Sequence, residues 1–208
     1  MLFRSHFTLL SVDSARIDET WNPVWGEESA IRNNCRELTV RLQDASGSGV
    51  RMNIIFRIFN DGLGFRYEFP EQKDLNHFIV AEEKTQFALA GDHKTFWIPG
   101  DYDTNEYGYH TCSLSEIPKT KQGISQEIFA QSRISGNAVQ TPLMMKAADG
   151  YYVNIHEAAL VNYPAMQLEL DPATFTLTSL LVPDAIGNKA YLQAPAKTPW
   201  RTIVVCER

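Results

Sequence analysis

A histidine and a glutamate stand together at the end of a strand-like segment of this chain. The run Tyr151–Ile155 favours a β-strand, and His156 and Glu157 follow it directly. A strand end suits a ligand or an acid/base group, although neighbouring residues of a regular strand point to opposite faces. A structural pair is the alternative. The zinc-protease pattern is excluded, because Leu160 occupies the position of its second histidine.

A second group combines carboxylates with aromatic rings between residues 97 and 109. Its members are Trp97, Asp101, Tyr102, Asp103, Glu106, Tyr107 and Tyr109. Carboxylates accept hydrogen bonds from sugar hydroxyls, and flat rings cover the apolar side of a sugar ring. The group therefore predicts a sugar-binding loop, with a packed loop stapled by its aromatic side chains as the alternative.

Two tryptophans lie close together in the segment Trp21–Glu28. A proline and a glycine in the same segment indicate a rigid turn, which fits a packing plug or, less commonly, a binding platform. The cysteines Cys35, Cys112 and Cys206 are widely spaced and match no metal or redox motif. We expect three free thiols, with one disulfide and one thiol as the alternative.

Short β-strands must position these groups. Alternation of apolar and polar residues is clearest in Arg36–Gln43, Val50–Phe59 and Phe65–Phe69. Shorter strand-like runs cover 77–81, 86–90, 95–98, 141–146, 151–155, 166–170, 174–182, 190–193 and 201–205. Hairpin turns are predicted at 44–49 and 60–62. The spacing of these runs favours an antiparallel all-β sandwich in one domain.

Residues 99–140 differ from the rest of the chain, because they contain turn formers and aromatics without a clean period. They are predicted to be mainly loop, with one helical turn at Ser113–Ile117. A loop of this length inside a compact domain is usually functional or mobile.

The composition narrows the function classes. The chain has 208 residues, of which 44% are hydrophobic and 21% charged, and its formal net charge is −6. Such a chain can bury enough apolar surface to fold. It lacks the ~20-residue apolar run of a membrane helix. The acidic balance and the scattered basic residues argue against nucleic acid as a partner.

Five motifs occur in the order in which they occur in one enzyme family, and they extend over almost the whole chain. The chain resembles the N-terminal region of glycoside hydrolase family 97, calcium-dependent α-glucosidases and α-galactosidases of gut Bacteroidetes. The matching segments are Asp18–Glu28, Phe56–Pro70, Phe96–Thr104, Asn154–Leu160 and Thr198–Ile203.

The resemblance implies a fold and a location for the catalytic residues. The family's N-terminal domain is an antiparallel β-super-sandwich similar to galactose mutarotase, and we expect it at residues 12–205. Residues 1–11 form an atypical start, and the family's front strands are expected to be absent or replaced. In the family a (β/α)₈ barrel follows and holds the catalytic carboxylates. The chain is therefore expected not to be catalytic alone.

The resemblance also implies site residues. Glu157 corresponds to the N-terminal glutamate that reaches the active site and helps bind calcium, whose remaining ligands are expected from the barrel. The residues expected to bind substrate are Trp97, Asp101, Tyr102, Asp103, Glu106 and His156. The expected substrate is an oligosaccharide with α-linked glucose or galactose, cleaved by a retaining or inverting α-glycosidase.

Two other functions stay open at this point. A free-standing carbohydrate-binding module would use the aromatic loop as its sugar platform. An aldose epimerase of mutarotase type would need an acid and a base across the sugar ring, but none of the five histidines lies in such a motif. The family resemblance implies a periplasmic location, although the first residues do not form a signal peptide.

Overall fold

The structure, a computed structural model, describes residues 6–124, 132–134 and 136–207. This part of the chain contains sixteen β-strands, a 3₁₀ turn at Leu114–Glu116 and one short α-helix, α1, at Ile117–Gln122. The strands are β1 Phe7–Trp21, β2 Ile31–Asp44, β3 Arg51–Phe59, β4 Gly62–Phe69, β5 His77–Val80, β6 Gln86–Ala88, β7 Lys94–Trp97, β8 His110–Ser113, β9 Ala138–Gln140, β10 Leu143–Lys146, β11 Tyr152–Ala158, β12 Met166–Asp171, β13 Thr176–Leu181, β14 Ala190–Gln193, β15 Ala196–Lys197 and β16 Trp200–Cys206. The predicted all-β class with antiparallel pairing is confirmed.

The strands fall into two compact units. The first contains the described residues up to Phe78 together with Gln193–Arg201, and the second contains Ile79–Leu192 and the described residues from Thr202. Within the predicted start at 1–11, residues 1–5 lie outside the described residues, and β1 begins at Phe7. No helix in the described part is long and apolar enough to cross a membrane.

In the first unit, β1 to β4 are antiparallel neighbours in chain order, and β15 pairs with β4. Val40, Ile54 and Tyr67 stand opposite one another on β2, β3 and β4, so they share one face of the sheet. This is the face that the alternating pattern predicts. A buried cluster forms around Val50, Phe69 and Leu75, with Met52, Tyr67 and Phe78 packed against it.

Both predicted hairpin turns are confirmed. Between β2 and β3 the Asp44 carboxylate accepts hydrogen bonds from the Ser46 amide at 3.0 Å and from the hydroxyls of Ser46 and Ser48. The two serine hydroxyls lower the pKa of Asp44 to about 2. Between β3 and β4 two residues connect Phe59 to its partner Gly62 across the hairpin.

The strand β1 is absent from the prediction, and the structure corrects this. Almost every side chain of β1 is exposed, so the strand carries no apolar–polar alternation for a pattern to detect. The turn after it also differs from the preferred interpretation. Trp21 is 51% exposed and Trp25 is 89% exposed, so these two rings do not form a packing plug within this chain.

In the second unit, β11, β10, β7 and β8 are neighbours in one sheet, and β6, β13, β12 and β9 form another. All described strand pairs within these two sheets are antiparallel. The fully buried side chains of this unit include Trp97, Leu143, Met145, Ile155, Leu168 and Leu177.

The described residues between 99 and 140 contain more regular structure than their sequence predicts. They contain β8, the 3₁₀ turn, α1 and β9, although residues 125–131 and 135 lie outside the described residues. The helical turn predicted at Ser113–Ile117 is confirmed, and α1 continues it to Gln122. The Glu116 carboxylate accepts a hydrogen bond from the Ser113 amide at 3.0 Å. These elements are too short to show a period. Pairing with β7 stabilises β8, and pairing with β12 stabilises β9.

Candidate functional site

The carboxylate of Asp101 lies at the centre of the loop that was predicted to bind sugar. The residue is 2% exposed. Its Oδ1 accepts hydrogen bonds from the amides of Asp103 at 2.8 Å, Ser132 at 3.1 Å and Thr104 at 3.2 Å. Its Oδ2 accepts a hydrogen bond from the Tyr107 hydroxyl at 2.7 Å. Both oxygens therefore bind donors of the protein itself, and this carboxylate holds the loop together.

The electrostatics of Asp101 agree with this role. Burial alone raises the pKa of its carboxyl group, but the hydrogen bonds from Asp103, Tyr107, Ser132 and Thr104 outweigh burial, so the pKa lies below its ordinary value. Burial and the bond to Asp101 raise the pKa of the Tyr107 hydroxyl. The pair therefore consists of a carboxylate and a neutral phenol at neutral pH.

Backbone pairing attaches the start of this loop to β9. The Gly100 amide donates to the Ala138 carbonyl at 2.8 Å, and its carbonyl accepts from the Ile134 amide at 3.0 Å. A Cβ atom on Gly100 would lie 2.7 Å from the Cβ of Ala138, so only glycine allows this approach. The side chain of Gln140 completes the attachment by donating to the carbonyls of Pro99 at 3.0 Å and Thr104 at 2.8 Å.

A buried lysine organises the segment that faces the loop. Lys121 is 8% exposed, and its ammonium group donates to the carbonyls of Ile134 at 3.0 Å, Gly136 at 2.9 Å and Ala138 at 3.1 Å. Burial lowers the pKa of Lys121, and the charge of Glu169 acts in the opposite direction. The last turn of α1 thus fixes the backbone that receives Gly100.

Trp97 lies in the core of the second unit rather than on a surface. The residue is 0% exposed. Its indole nitrogen donates to Cys112 Sγ at 3.2 Å, and its ring lies 5.4 Å from the His110 ring, centroid to centroid. Its substrate-binding role stays a prediction, and in this conformation no face of the ring is open to a ligand.

The other predicted sugar contacts on this loop are more accessible. Asp103 and Glu106 are exposed, and Tyr102 is half-buried. Burial, assisted by the charges of Glu82 and Glu169, raises the pKa of the Tyr102 hydroxyl. The loop thus presents two carboxylates to solvent.

The tyrosine near the end of the loop is accessible as well. Tyr109 is 66% exposed. Two exposed carboxylates and one exposed ring have the donor–acceptor and stacking chemistry of a sugar surface.

The histidine and glutamate at the end of β11 point to opposite sides, as a regular strand requires. His156 is exposed, whereas Glu157 is 8% exposed. Glu157 Oε1 accepts a hydrogen bond from the amide of Met166, the first residue of β12, at 3.1 Å. The hydrogen bond thus orients Glu157 toward the start of β12, whereas the Asp101 carboxylate bonds within its own loop.

Glu157 is the residue of this chain that the family resemblance implies as a calcium ligand. Calcium takes about six to eight oxygen ligands, and a carboxylate such as Glu157 is a suitable one. In the described part of the chain, no group of three or more His, Cys, Asp or Glu side chains is arranged to hold a metal ion. Glu157 fits the chemistry of one ligand, and the other described residues supply no complete site.

Sequence analysis missed Lys121 and Gln140, which fix the loop. Lysine and glutamine are usually exposed, and both residues lie in the region without a period. No pattern in the sequence marks them, because their partners are backbone carbonyls that only the fold brings near.

Comparison with known proteins identifies the family. A sequence model of the family described as "Glycosyl-hydrolase 97 N-terminal" matches residues 1–208. A retaining alpha-galactosidase of Bacteroides thetaiotaomicron is 26% identical over 219 residues, which cover 91% of this chain and 29% of that protein.

Solved structures show the same relationship. A Glycoside Hydrolase Family 97 enzyme from Pseudoalteromonas sp. strain K8, solved with acarbose, matches with a TM-score of 0.83 and 30% identity over 99% of this chain and 28% of that one. A beta-arabinopyranosidase matches with a TM-score of 0.75 and 20% identity over 97% of this chain and 32% of that one, which shows a shared fold.

These matches confirm the predicted antiparallel super-sandwich. The chain spans less than a third of the length of the relatives that it matches. The matched part is the N-terminal part, as the family model states. The chain belongs to glycoside hydrolase family 97, as its N-terminal domain.

Proposed function

We propose that this domain packs on a (β/α)₈ catalytic barrel and completes the barrel's sugar and calcium site, without catalysing hydrolysis alone. The observation that carries the proposal is the family match over residues 1–208, combined with coverage of only 28–29% of the relatives. The larger remaining part of those relatives has room for the catalytic carboxylates. The substrate proposed for the whole protein is an oligosaccharide with α-linked glucose or galactose, cleaved with retention or inversion.

Glu157 is the residue that we propose for the calcium site. The strand β11 ends one residue after it, and the bond from the Met166 amide orients its carboxylate. Calcium would fix the position of a sugar hydroxyl or of a barrel carboxylate when bound. The part played by this chain is to hold one carboxylate oxygen in place for an ion whose other ligands come from the barrel. We also propose a periplasmic location, on the family resemblance alone.

Calorimetry of the isolated chain tests the incompleteness of the site. Titration with calcium chloride should give no binding tighter than roughly millimolar, the range of sites with few ligands. The chain should release no nitrophenol from nitrophenyl α-glucoside or α-galactoside. Micromolar calcium affinity, or hydrolysis at a rate proportional to chain concentration, would contradict the proposal.

A chimeric enzyme tests whether Glu157 contributes to calcium binding when a barrel is present. This chain would replace the matching N-terminal domain of the Pseudoalteromonas family 97 enzyme, and calcium affinity and hydrolysis would be measured. The substitution Glu157→Gln should weaken calcium binding about tenfold or more, since second-sphere and ligand changes have effects of that size. Glu106→Gln, on the exposed loop, is the matched control. A folded chimera whose calcium affinity is the same with either substitution refutes the role of Glu157.

A free-standing sugar-binding module is the second candidate, favoured by one loop that carries the exposed ring of Tyr109 and the exposed carboxylates of Asp103 and Glu106. Maltose titration of the isolated chain tests it. Tyr109→Ala should abolish binding, whereas Tyr151→Ala, an exposed tyrosine outside the loop, should not. Maltose binding that survives Tyr109→Ala excludes the loop as the platform.

A further inference from the structure

The hairpin of β1 and β2 extends past the other strands of its sheet. In the described register, β2 pairs with β3 as far as Arg36, whereas its pairing with β1 continues to Ile31. Residues 17–35 therefore form a two-stranded ribbon with residues 22–30 at its tip, and we call residues 17–35 the arm. A ribbon of two strands is at best marginally stable in water, so other contacts must support it.

Side-chain hydrogen bonds supply part of that support. The Arg32 guanidinium donates two hydrogen bonds to the Asp18 carboxylate, each at 2.8 Å. This ion pair lies on the face of the arm opposite to Trp21, because side chains alternate along a strand. At the tip, the Asn22 side chain donates to the Ser29 carbonyl at 2.7 Å. The arm is thus a preformed element, and its binding to another surface requires little further ordering.

The outer end of the arm is apolar and exposed. Trp21 and Ile31 lie opposite each other on the face without the ion pair, and Ile31 is 38% exposed. At the tip, Val24 is 100% exposed and the ring of Trp25 is largely exposed as well. Large aromatic side chains in such positions are typical anchors of protein interfaces.

The charges around the tip are acidic. Glu19, Glu27 and Glu28 are exposed. Between Arg16 and Arg32 the sequence contains no lysine or arginine. A complementary partner surface is therefore an apolar recess bordered by basic side chains.

The size of this apolar surface favours a partner that is covalently joined to the chain. A buried aromatic side chain covers about 150–250 Å², so the two tryptophans and two aliphatic side chains bury roughly 400 Å² on the arm. Twice that area lies below the roughly 1,200 Å² of stable interfaces between free proteins. A joined partner has an effective concentration of about millimolar, which makes a small contact sufficient. The chain spans less than a third of its relatives, and their remaining part is a partner of this kind.

We propose that the arm docks its tryptophan face and its tip into an apolar, basic-rimmed recess of the catalytic part to which this domain is joined in a family 97 enzyme. Trp25 is the anchor of this contact. The inference rests on the proposed function and deepens it, because it names the surface through which the domain holds the barrel.

Hydrogen exchange measured by mass spectrometry tests the contact in the chimera described above. Residues 22–30 lie outside the register of β1 and β2, so their amides should exchange rapidly in the isolated chain. In the chimera the same amides should exchange about tenfold or more slowly. Trp25→Ser should return them to the rate of the isolated chain, whereas Trp25→Phe, which preserves an aromatic anchor, should retain most of the protection.

Leu9→Ser is the matched control, because Leu9 is 61% exposed and lies at the other end of β1. It should leave the exchange of residues 22–30 unchanged. A chimera that hydrolyses substrate and responds to Glu157→Gln, but exchanges residues 22–30 as fast as the isolated chain, overturns the arm contact and leaves the proposed function intact. Protection that persists in Trp25→Ser also overturns it. A chimera with a protected arm but without calcium binding or hydrolysis supports the arm contact and contradicts the proposed function.

Sedimentation velocity of the isolated chain tests a second copy as the alternative occupant and requires no chimera. The chain should stay monomeric up to about 0.1 mM, because the arm alone buries too little area for a free partner. A dimer that Trp25→Ser dissociates and Leu9→Ser does not would mean that the arm binds a second copy, and it would overturn the proposal.

Discussion

Replacing Asp101 by asparagine removes the charge from the centre of the acidic loop and preserves the shape of the side chain. The amide oxygen can keep the three backbone hydrogen bonds that Oδ1 now accepts, at 2.8, 3.1 and 3.2 Å. The amide nitrogen then faces Tyr107, whose hydroxyl turns from donor to acceptor. The substitution thus measures what the negative charge contributes.

The magnitude follows from the contacts. A hydrogen bond to a charged group contributes about 1.5–3 kcal/mol, against about 0.5–1.5 kcal/mol for a neutral one, so each of the bonds to Asp101 weakens by about 1 kcal/mol. Asparagine avoids the cost of burying a charge, which offsets about half of that sum. We expect Asp101→Asn to lower the free energy of unfolding by about 2 kcal/mol at pH 7, which is roughly a thirty-fold change in equilibrium.

The difference in unfolding free energy between wild type and Asp101→Asn depends on pH. The lowered pKa of Asp101 fixes the direction of that dependence. Because the folded carboxyl group has a lower pKa than the unfolded one, the unfolded chain binds more protons as the pH falls. The stabilisation by the charge is complete above the unfolded pKa of about 3.9 and disappears as the pH falls through the folded value. Wild type and Asp101→Asn should therefore converge in stability below about pH 4.

Urea unfolding and hydrogen exchange of the Asp103 and Ser132 amides measure the effect. Both amides should exchange faster in Asp101→Asn, because each donates to this carboxylate. Glu106→Gln, at an exposed carboxylate on the same loop, is the control and should change stability by less than about 0.5 kcal/mol. If Asp101→Asn matches wild type at pH 7, the carboxylate is not what holds the loop.

Three further outcomes follow from the same part of the structure. Lys121→Met removes the donor to three carbonyls and should cost about 2–4 kcal/mol in urea unfolding, and a cost below 1 kcal/mol would contradict the buried contacts. Gly100→Ala should cost about 1–3 kcal/mol because its Cβ would lie 2.7 Å from that of Ala138, whereas Gly108→Ala, with no atom within 4 Å, should be nearly neutral. Trp97→Ala should lower the free energy of unfolding by about 3–5 kcal/mol, as expected of a fully buried ring, and the melting temperature should fall accordingly. A variant as stable as the wild type would mean that the ring is not in the core.

Alternating patterns predicted most of the strands correctly, since each of those strands has one face in the core. β3, β4 and β14 illustrate this, because their observed bounds lie close to the apolar runs that predicted them. The strand β1 escaped prediction for the opposite reason. It is exposed almost throughout, and backbone pairing with β2 rather than burial holds it in place.

In the candidate site, too, the sequence indicated some features and the tertiary structure decided the others. Residue types alone indicated sugar chemistry between residues 97 and 109, and motif order alone indicated the family. Only the tertiary structure assigned the side chains to their roles. Asp101 became a buried acceptor for the loop, Trp97 a core residue and Lys121 a donor to carbonyls, while Asp103 and Glu106 stayed exposed.

The physical reason is that a hydrogen bond or a buried contact depends on atoms from distant parts of the chain. The amide of Ser132 and the carbonyl of Ala138 are 31 and 17 residues away from the side chains of Asp101 and Lys121 that they meet. Every backbone group has such donors or acceptors, so no local pattern in the sequence records which of them will come near a given side chain.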